Sequence, residues 1–116
     1  PPAPLAVVAR VLAVFDDLLL GSNVLGMLGA HDARLTGGAN ADVEGVDVLI
    51  VDLGATTFDG VALVESLELG DTRTLGVYSH VDVETRRRAE AAGFDLVVPR
   101  SRMAREGSVL VEKLTT

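Results

Sequence analysis

Short apolar runs recur along the chain, and each closes on an acid, a hydroxyl or a turn residue. The densest is Val48–Val51 within the stretch Val46–Gly60. It is rich in β-branched residues and too short for a helix, which predicts a strand over Val46–Val51 buried on both faces, as in parallel sheets. It stops at Asp52. Val7–Phe15 is apolar except for Arg10 and predicts a strand, most securely over Val11–Phe15, ending at Asp16-Asp17. Ala33–Thr36 gives a short strand, Thr74–Tyr78 another that ends at Ser79-His80, and Leu96–Val98 a last one halted by Pro99.

Helical spacing fills most of the intervals. Leu18, Leu19, Val24, Leu25 and Leu28 predict a helix with Asp17 as N-cap and Gly29 as its stop. Gly21 and Gly26 each weaken it by about 1 kcal/mol relative to Ala and allow close packing on the sheet. Asp59 opens a second helix to about Leu69, with Val61, Val64 and Leu67 inward and Gly70 as its end. Asp82 caps a third, with Glu84 in its first turn where the dipole favours an acid, Ala89, Ala91 and Ala92 as a small-residue face, and Gly93 as the stop. Val109–Leu114 is the last helix. Gly37–Gly45 has no apolar periodicity, so a turn or stub is expected between the second and third strands. Pro1–Pro4 is expected to be a frayed lead-in. The alternation of strands and helices predicts one α/β domain, a parallel sheet wound on both faces by right-handed crossovers.

Composition narrows the function classes. A chain of 116 residues suits one domain with one modest core, and 48% hydrophobic with 23% charged residues argues against wholesale disorder. Aromatic residues are only 3%, so stacking platforms for nucleic acid are lacking, and a net charge of -7 repels a phosphate backbone. There is no Cys, which excludes disulfides, thiolate catalysis and Cys-ligated zinc. No apolar run approaches the roughly 20 residues of a membrane span. Leu5–Phe15 lacks a basic leader and a cleavage pattern, so no signal peptide is read and the cytoplasm is the default expectation.

The candidate chemistry falls at strand carboxyl ends, where open α/β sheets keep their sites. Asp16 and Asp17 follow the first strand, Asp52 the third, Ser79 the fourth and Arg100 the fifth. Three carboxylates in one crevice repel each other and are relieved by a hard cation such as Mg²⁺. The plainer readings stand beside this one. Asp16-Asp17 are also ordinary turn and capping acids, Asp52 also suits a turn closing a strand, and Arg100 also suits a permanent ion pair with Asp52. Arg86–Arg88 reads as a solvated helix face or, with Arg102 and Arg105, as a dock for an acidic partner. His31 and His80 read as surface or capping residues. Gly37-Gly38 lacks the Walker and dinucleotide spacings, so no nucleotide site is expected.

These residues resemble the receiver domains of bacterial two-component response regulators. VFDD resembles the end of the receiver's first strand, which implies Mg²⁺ binding by Asp16 and Asp17. LIVDL resembles the strand that ends in the phosphoacceptor, which implies that role for Asp52, with the carbonyl of Gly54 as a further metal ligand. Asp59-Gly60 stand where the family has an Asp-Gly pair. LGVYS implies the switch hydroxyl for Ser79, and GFDLVVPR places Arg100 at the position of the family's Lys. The resemblance implies one flavodoxin-like domain over 1–116 with strand order 2-1-3-4-5; against the family, the residues between the second and third strands leave the second helix stunted or absent. It implies no enzyme activity, a histidine kinase or downstream target as protein partner, and a monomer or homodimer.

The departures are chemical. Arg100 is a planar fork where the family has a compact ammonium. Ser101 stands in place of the following Pro, Val97 in place of the switch aromatic, and Thr56 in place of the loop Pro. His80-Val81-Asp82 and Arg100-Ser101 resemble an atypical group of small stand-alone receiver-like proteins. Three functions are therefore weighed: a pseudo-receiver that keeps the fold and binds a partner protein with reduced or lost phosphoacceptor chemistry, a receiver phosphorylated on Asp52 with Mg²⁺, and a small flavodoxin-like ligand binder. The first is favoured by the departures.

Overall fold

The structure is a computed structural model that describes residues 8–116. The expected lead-in Pro1–Pro4, and Val7, lie outside the described residues. Five strands form one parallel sheet: β1 (Arg10–Val14), β2 (Asp32–Thr36), β3 (Val48–Asp52), β4 (Arg73–Tyr78) and β5 (Leu96–Pro99), in the order β2-β1-β3-β4-β5. The five predicted strands are all present, displaced by a residue or two at their ends. Every residue of β3 is buried, as a central strand covered on both faces requires.

Alternation along the strands divides the core in two. Val11, Ala13, Phe15, Val48, Ile50 and Val77 point to one face, where α1 (Leu18–Met27) and α4 (Arg100–Thr115) cover them with Val24, Met103, Leu110 and Val111. Leu12, Val14, Leu49 and Val51 point to the other, under α2 (Gly60–Ser66) and α3 (Val83–Ala91). The capping acids sit where the sequence puts them. Asp17, Asp59 and Asp82 are the N-caps of α1, α2 and α3, each accepting from backbone N–H groups of the first turn. Gly93 follows α3 with φ +93°, a conformation that L side chains rarely adopt.

Four expectations are corrected. The last helix begins at Arg100, well before Val109. Its inward residues Met103, Gly107, Leu110 and Val111 do keep helical spacing, but a glycine and the charges Arg102, Arg105 and Glu106 dilute the stripe. α2 ends at Ser66 because Leu67 turns to extended backbone, which lets both Leu67 and Leu69 reach the core. Gly70, at φ +55°, serves the turn into β4 instead. Of the two glycines in α1, only Gly21 is a close-packing site: a Cβ there would stand 2.6 Å from Leu35 Cδ1, whereas nothing lies within 4 Å at Gly26. His31 is buried, not a surface residue. Its Nδ1 accepts from the Ala9 N–H at 3.1 Å and its Nε2 lies 3.3 Å from Ser108 Oγ, which joins the start of β1 to α4.

The second crossover is the expected stub. Between β2 and β3 stands only a three-residue 3₁₀ turn, Gly38–Asn40, and Ala41 and Val43 pack on the core where a helix would otherwise lie.

Candidate functional site

The parallel topology brings the ends of β1, β3, β4 and β5 to one edge of the sheet. Val14 pairs with Val51, and Asp52 with Val77, so Asp16 and Ser79 each lie two residues beyond a partnered position beside Asp52. Arg100 opens α4 at the end of β5. Asp52 is the buried member, only 1% exposed. The Gly54 N–H donates to its Oδ1 at 2.9 Å, and Arg100 Nη2 stands 3.7 Å from the same oxygen. At that separation the guanidinium acts on Asp52 as a nearby charge, too far for a hydrogen bond. Burial pushes the Asp52 carboxyl above the ordinary 3.8; the Gly54 N–H and the Arg100 charge only partly offset this, and the Asp16 charge adds to the rise.

Asp16 has the opposite environment. Its Oδ2 accepts from the N–H groups of Thr56 and Thr57 at 2.8 and 2.9 Å and from the Thr57 and Thr56 hydroxyls at 3.0 and 3.4 Å. The Thr57 N–H bond leads in holding its carboxyl below the usual value. Thus Asp16 pins the loop after β3 to the end of β1. The sequence reading did not assign this clamp; its one signal is two adjacent hydroxyl residues in a loop otherwise free of them.

Asp17 is turned to a different task. Its Oδ1 accepts from the Leu19 and Leu20 N–H groups at 3.0 and 3.1 Å, as the helix cap. Ser79 is half-buried at the end of β4, and its carbonyl accepts from the Asp82 N–H at 2.8 Å. Gly54 lies under the arginine: a Cβ there would be 2.7 Å from Arg100 Nη2. Val97 is partly buried on the α2–α3 side of the sheet. Arg100 also borders a groove of about 570 Å³ between α1 and α4, lined by Leu20, Val24, Val77 and Met103 among others.

The carboxylates that a Mg²⁺ ion would need each have one oxygen engaged within the chain: Oδ2 of Asp16, Oδ1 of Asp17 and Oδ1 of Asp52. Among the described residues no three acidic or imidazole side chains come together as a metal-holding group. One Asp16 oxygen is surrounded by four donors, Asp17 caps a helix, and Asp52 is buried beside a cation. Four arginines on α3 and α4 are engaged within the chain: Arg88 with Asp59 at 2.9 Å, Arg87 with Glu84 at 3.1 Å, Arg86 with Glu90 at 3.3 Å and Arg102 with Glu106 at 3.1 Å, whereas Arg105 has no ion-pair partner among the described residues. For Arg86–Arg88 this favours the solvated-face reading.

No family model matches the chain, and no curated protein sequence does either. Solved structures do. A beryllofluoride-activated DrrB receiver domain superposes with TM-score 0.76 at 14% identity, covering 93% of this chain and 97% of that one. A receiver domain protein from Clostridium thermocellum gives TM-score 0.78 at 14% identity, over 93% and 94% of the two chains. The chemotaxis response regulator CheY4 of Vibrio cholerae gives 0.71 at 19% identity, over 90% and 99%. At such identities the likeness is one of fold, and it extends over nearly the whole chain: this protein has the receiver-domain fold of response regulators.

Proposed function

We propose that this protein is a non-enzymatic, receiver-like signalling module that works by binding a partner protein, with the phosphoacceptor chemistry of Asp52 reduced or lost. One observation carries the reading. Two of the carboxylates that would share a divalent cation each have one oxygen engaged elsewhere, Asp16 Oδ2 with the Thr56-Thr57 loop and Asp17 Oδ1 with the α1 N-terminus. Mg²⁺ would supply charge neutralisation for an incoming phosphoryl group. Without it, Arg100 is the cation facing Asp52, a standing substitute for part of that charge.

A second reading is favoured by the placement of Asp52 itself. A carboxylate at the end of a central strand, with Ser79 and Arg100 at the ends of the next two strands, has the parts of a phosphoryl-accepting site: a nucleophile, a hydroxyl and a cation. In that case the Arg100 contact is a resting arrangement that opens when a phosphodonor and metal arrive.

Titration with Mg²⁺ and beryllofluoride, followed by amide NMR, separates the two. The proposal expects no saturable shifts at Gly54, Ser79 and Val97 at millimolar Mg²⁺. Saturable shifts at these residues that disappear in Asp52→Asn would establish the second reading.

A further inference from the structure

β2 is an end strand of the sheet, and among the described residues nothing pairs with its outer edge. The direction of its backbone groups follows from two bonds to β1. The Asp32 N–H donates to the Ala9 carbonyl at 3.0 Å, and the Thr36 carbonyl accepts from the Phe15 N–H at 3.1 Å. In a parallel ladder alternate residues turn both groups to the same side. Asp32, Arg34 and Thr36 therefore face β1, while Ala33 and Leu35 present their N–H and C=O groups to the open edge. The stub crossover after β2 supplies no helix to flank this edge.

Such edges are usually blunted by charge. Here the charges are arranged so that they match a copy of themselves. Asp32 and Arg34 flank Ala33, are both exposed, and project on one face of the sheet. Asp32 lies at 3.9 Å from Arg10 in a pair more than half exposed on both sides, and Arg34 has no ion-pair partner among the described residues.

We propose that β2 of one copy pairs antiparallel with β2 of a second copy about a twofold axis at Ala33. In that register the two Ala33 residues exchange N–H···O=C bonds, and Asp32 of each copy stands opposite Arg34 of the other. These are non-hydrogen-bonded positions, where side chains approach most closely. The isologous contact continues the two sheets into one of ten strands. The alternative register, centred on Arg34, places two like charges directly opposite and is disfavoured for that reason. One strand edge buries much less than the area of a standard interface, so the dimer is weak, with Kd on the order of 100 µM.

Sedimentation velocity over rising protein concentration is the test. Wild type is expected to shift reversibly to dimer. Arg34→Asp sets acid against acid and weakens the dimer at least about tenfold. Asp32→Arg does the same with bases. Mixing the two variants restores dimer as a mixed pair, because each carries the complement of the other. Ala33→Pro removes the outward N–H without touching a bond to β1, and it also weakens the dimer. Circular dichroism checks that each variant is folded. A wild type that stays monomeric at millimolar concentration overturns the proposal. A dimer that withstands both Arg34→Asp and Ala33→Pro also overturns it, as does a mixture of charge variants that fails to associate.

Discussion

Replacing Arg100 by Met isolates the charge that faces Asp52. Met keeps most of the stem and is a comparable helix former, so the loss is mainly electrostatic. At 3.7 Å, and with an effective dielectric of about 20, the bare attraction is roughly 4.5 kcal/mol. That is an upper bound, because the Arg100 side chain is 45% exposed and water screens it, whereas the Asp52 side chain is only 2% exposed. Exposed pairs contribute well under 1 kcal/mol and broken buried pairs cost several, so this half-buried one is expected to cost about 1–2 kcal/mol. For a domain of this size that lowers Tm by about 4–8 °C at pH 7. The control is the same substitution in an Asp52→Asn background, where no carboxylate remains to be stabilised. There the cost falls below about 0.5 kcal/mol, giving a coupling energy near 1 kcal/mol in the double-mutant cycle. Thermal unfolding of the four proteins by circular dichroism supplies the cycle. Equal costs in both backgrounds would show that the Arg100–Asp52 contact carries no energy, and the reading of Arg100 as a standing charge on Asp52 would fall with it.

Further predictions come from the same edge of the sheet. On acidification Asp52 takes up its proton first, above the ordinary 3.8, and Asp16 below it, as carboxyl ¹³C NMR would record; the reverse order would contradict the environments described. The signs for stability are opposite: the Asp52 contribution is full below 3.8 and is lost as pH rises through its raised pKa, while those of Asp16, Asp59 and Asp82 are full above 3.8 and are lost as pH falls through their lowered ones. Consequently Asp52→Asn is expected to raise Tm slightly at pH 7, and a clear drop would refute the cost assigned to burying the ionised carboxylate. Gly54→Ala places a methyl at 2.7 Å from the Arg100 guanidinium, a flexible end that swings away. It should abolish most of the Arg100–Asp52 coupling in the cycle above while leaving the fold intact. His31→Ala removes the acceptor for the Ala9 N–H and a buried ring, and should cost about 2–4 kcal/mol in urea unfolding.

The sheet was legible because buried parallel strands leave unbroken β-branched runs, and Val48–Val51 is unmistakable in that respect. The starts of α1, α2 and α3 were legible because an aspartate stands just before each and accepts from its first-turn N–H groups. The helix ends were not. Nothing local separates Leu67 in a helix from Leu67 in an extended segment; its choice depends on a core surface that Leu69 also reaches. The start of α4 was hidden for a related reason, since Gly107 is a contact point in the structure and a helix weakener in the sequence. At the site, residue types and strand ends gave the neighbourhood of Asp52. They could not give the division of labour between Asp16 and Asp17. Hydrogen bonds across 40 and 41 residues of sequence decide it, and the donors are chiefly backbone N–H groups that any residue carries.

The most direct test of the account is whether Asp52 takes a phosphoryl group. The protein is incubated with Mg²⁺ and a small-molecule acyl phosphate, and its intact mass is read before an aspartyl phosphate can hydrolyse. The account predicts at most a small phosphorylated fraction in wild type, and none in Asp52→Asn. Conversion of most of the wild type to a species heavier by one phosphoryl group, absent from Asp52→Asn, would contradict it.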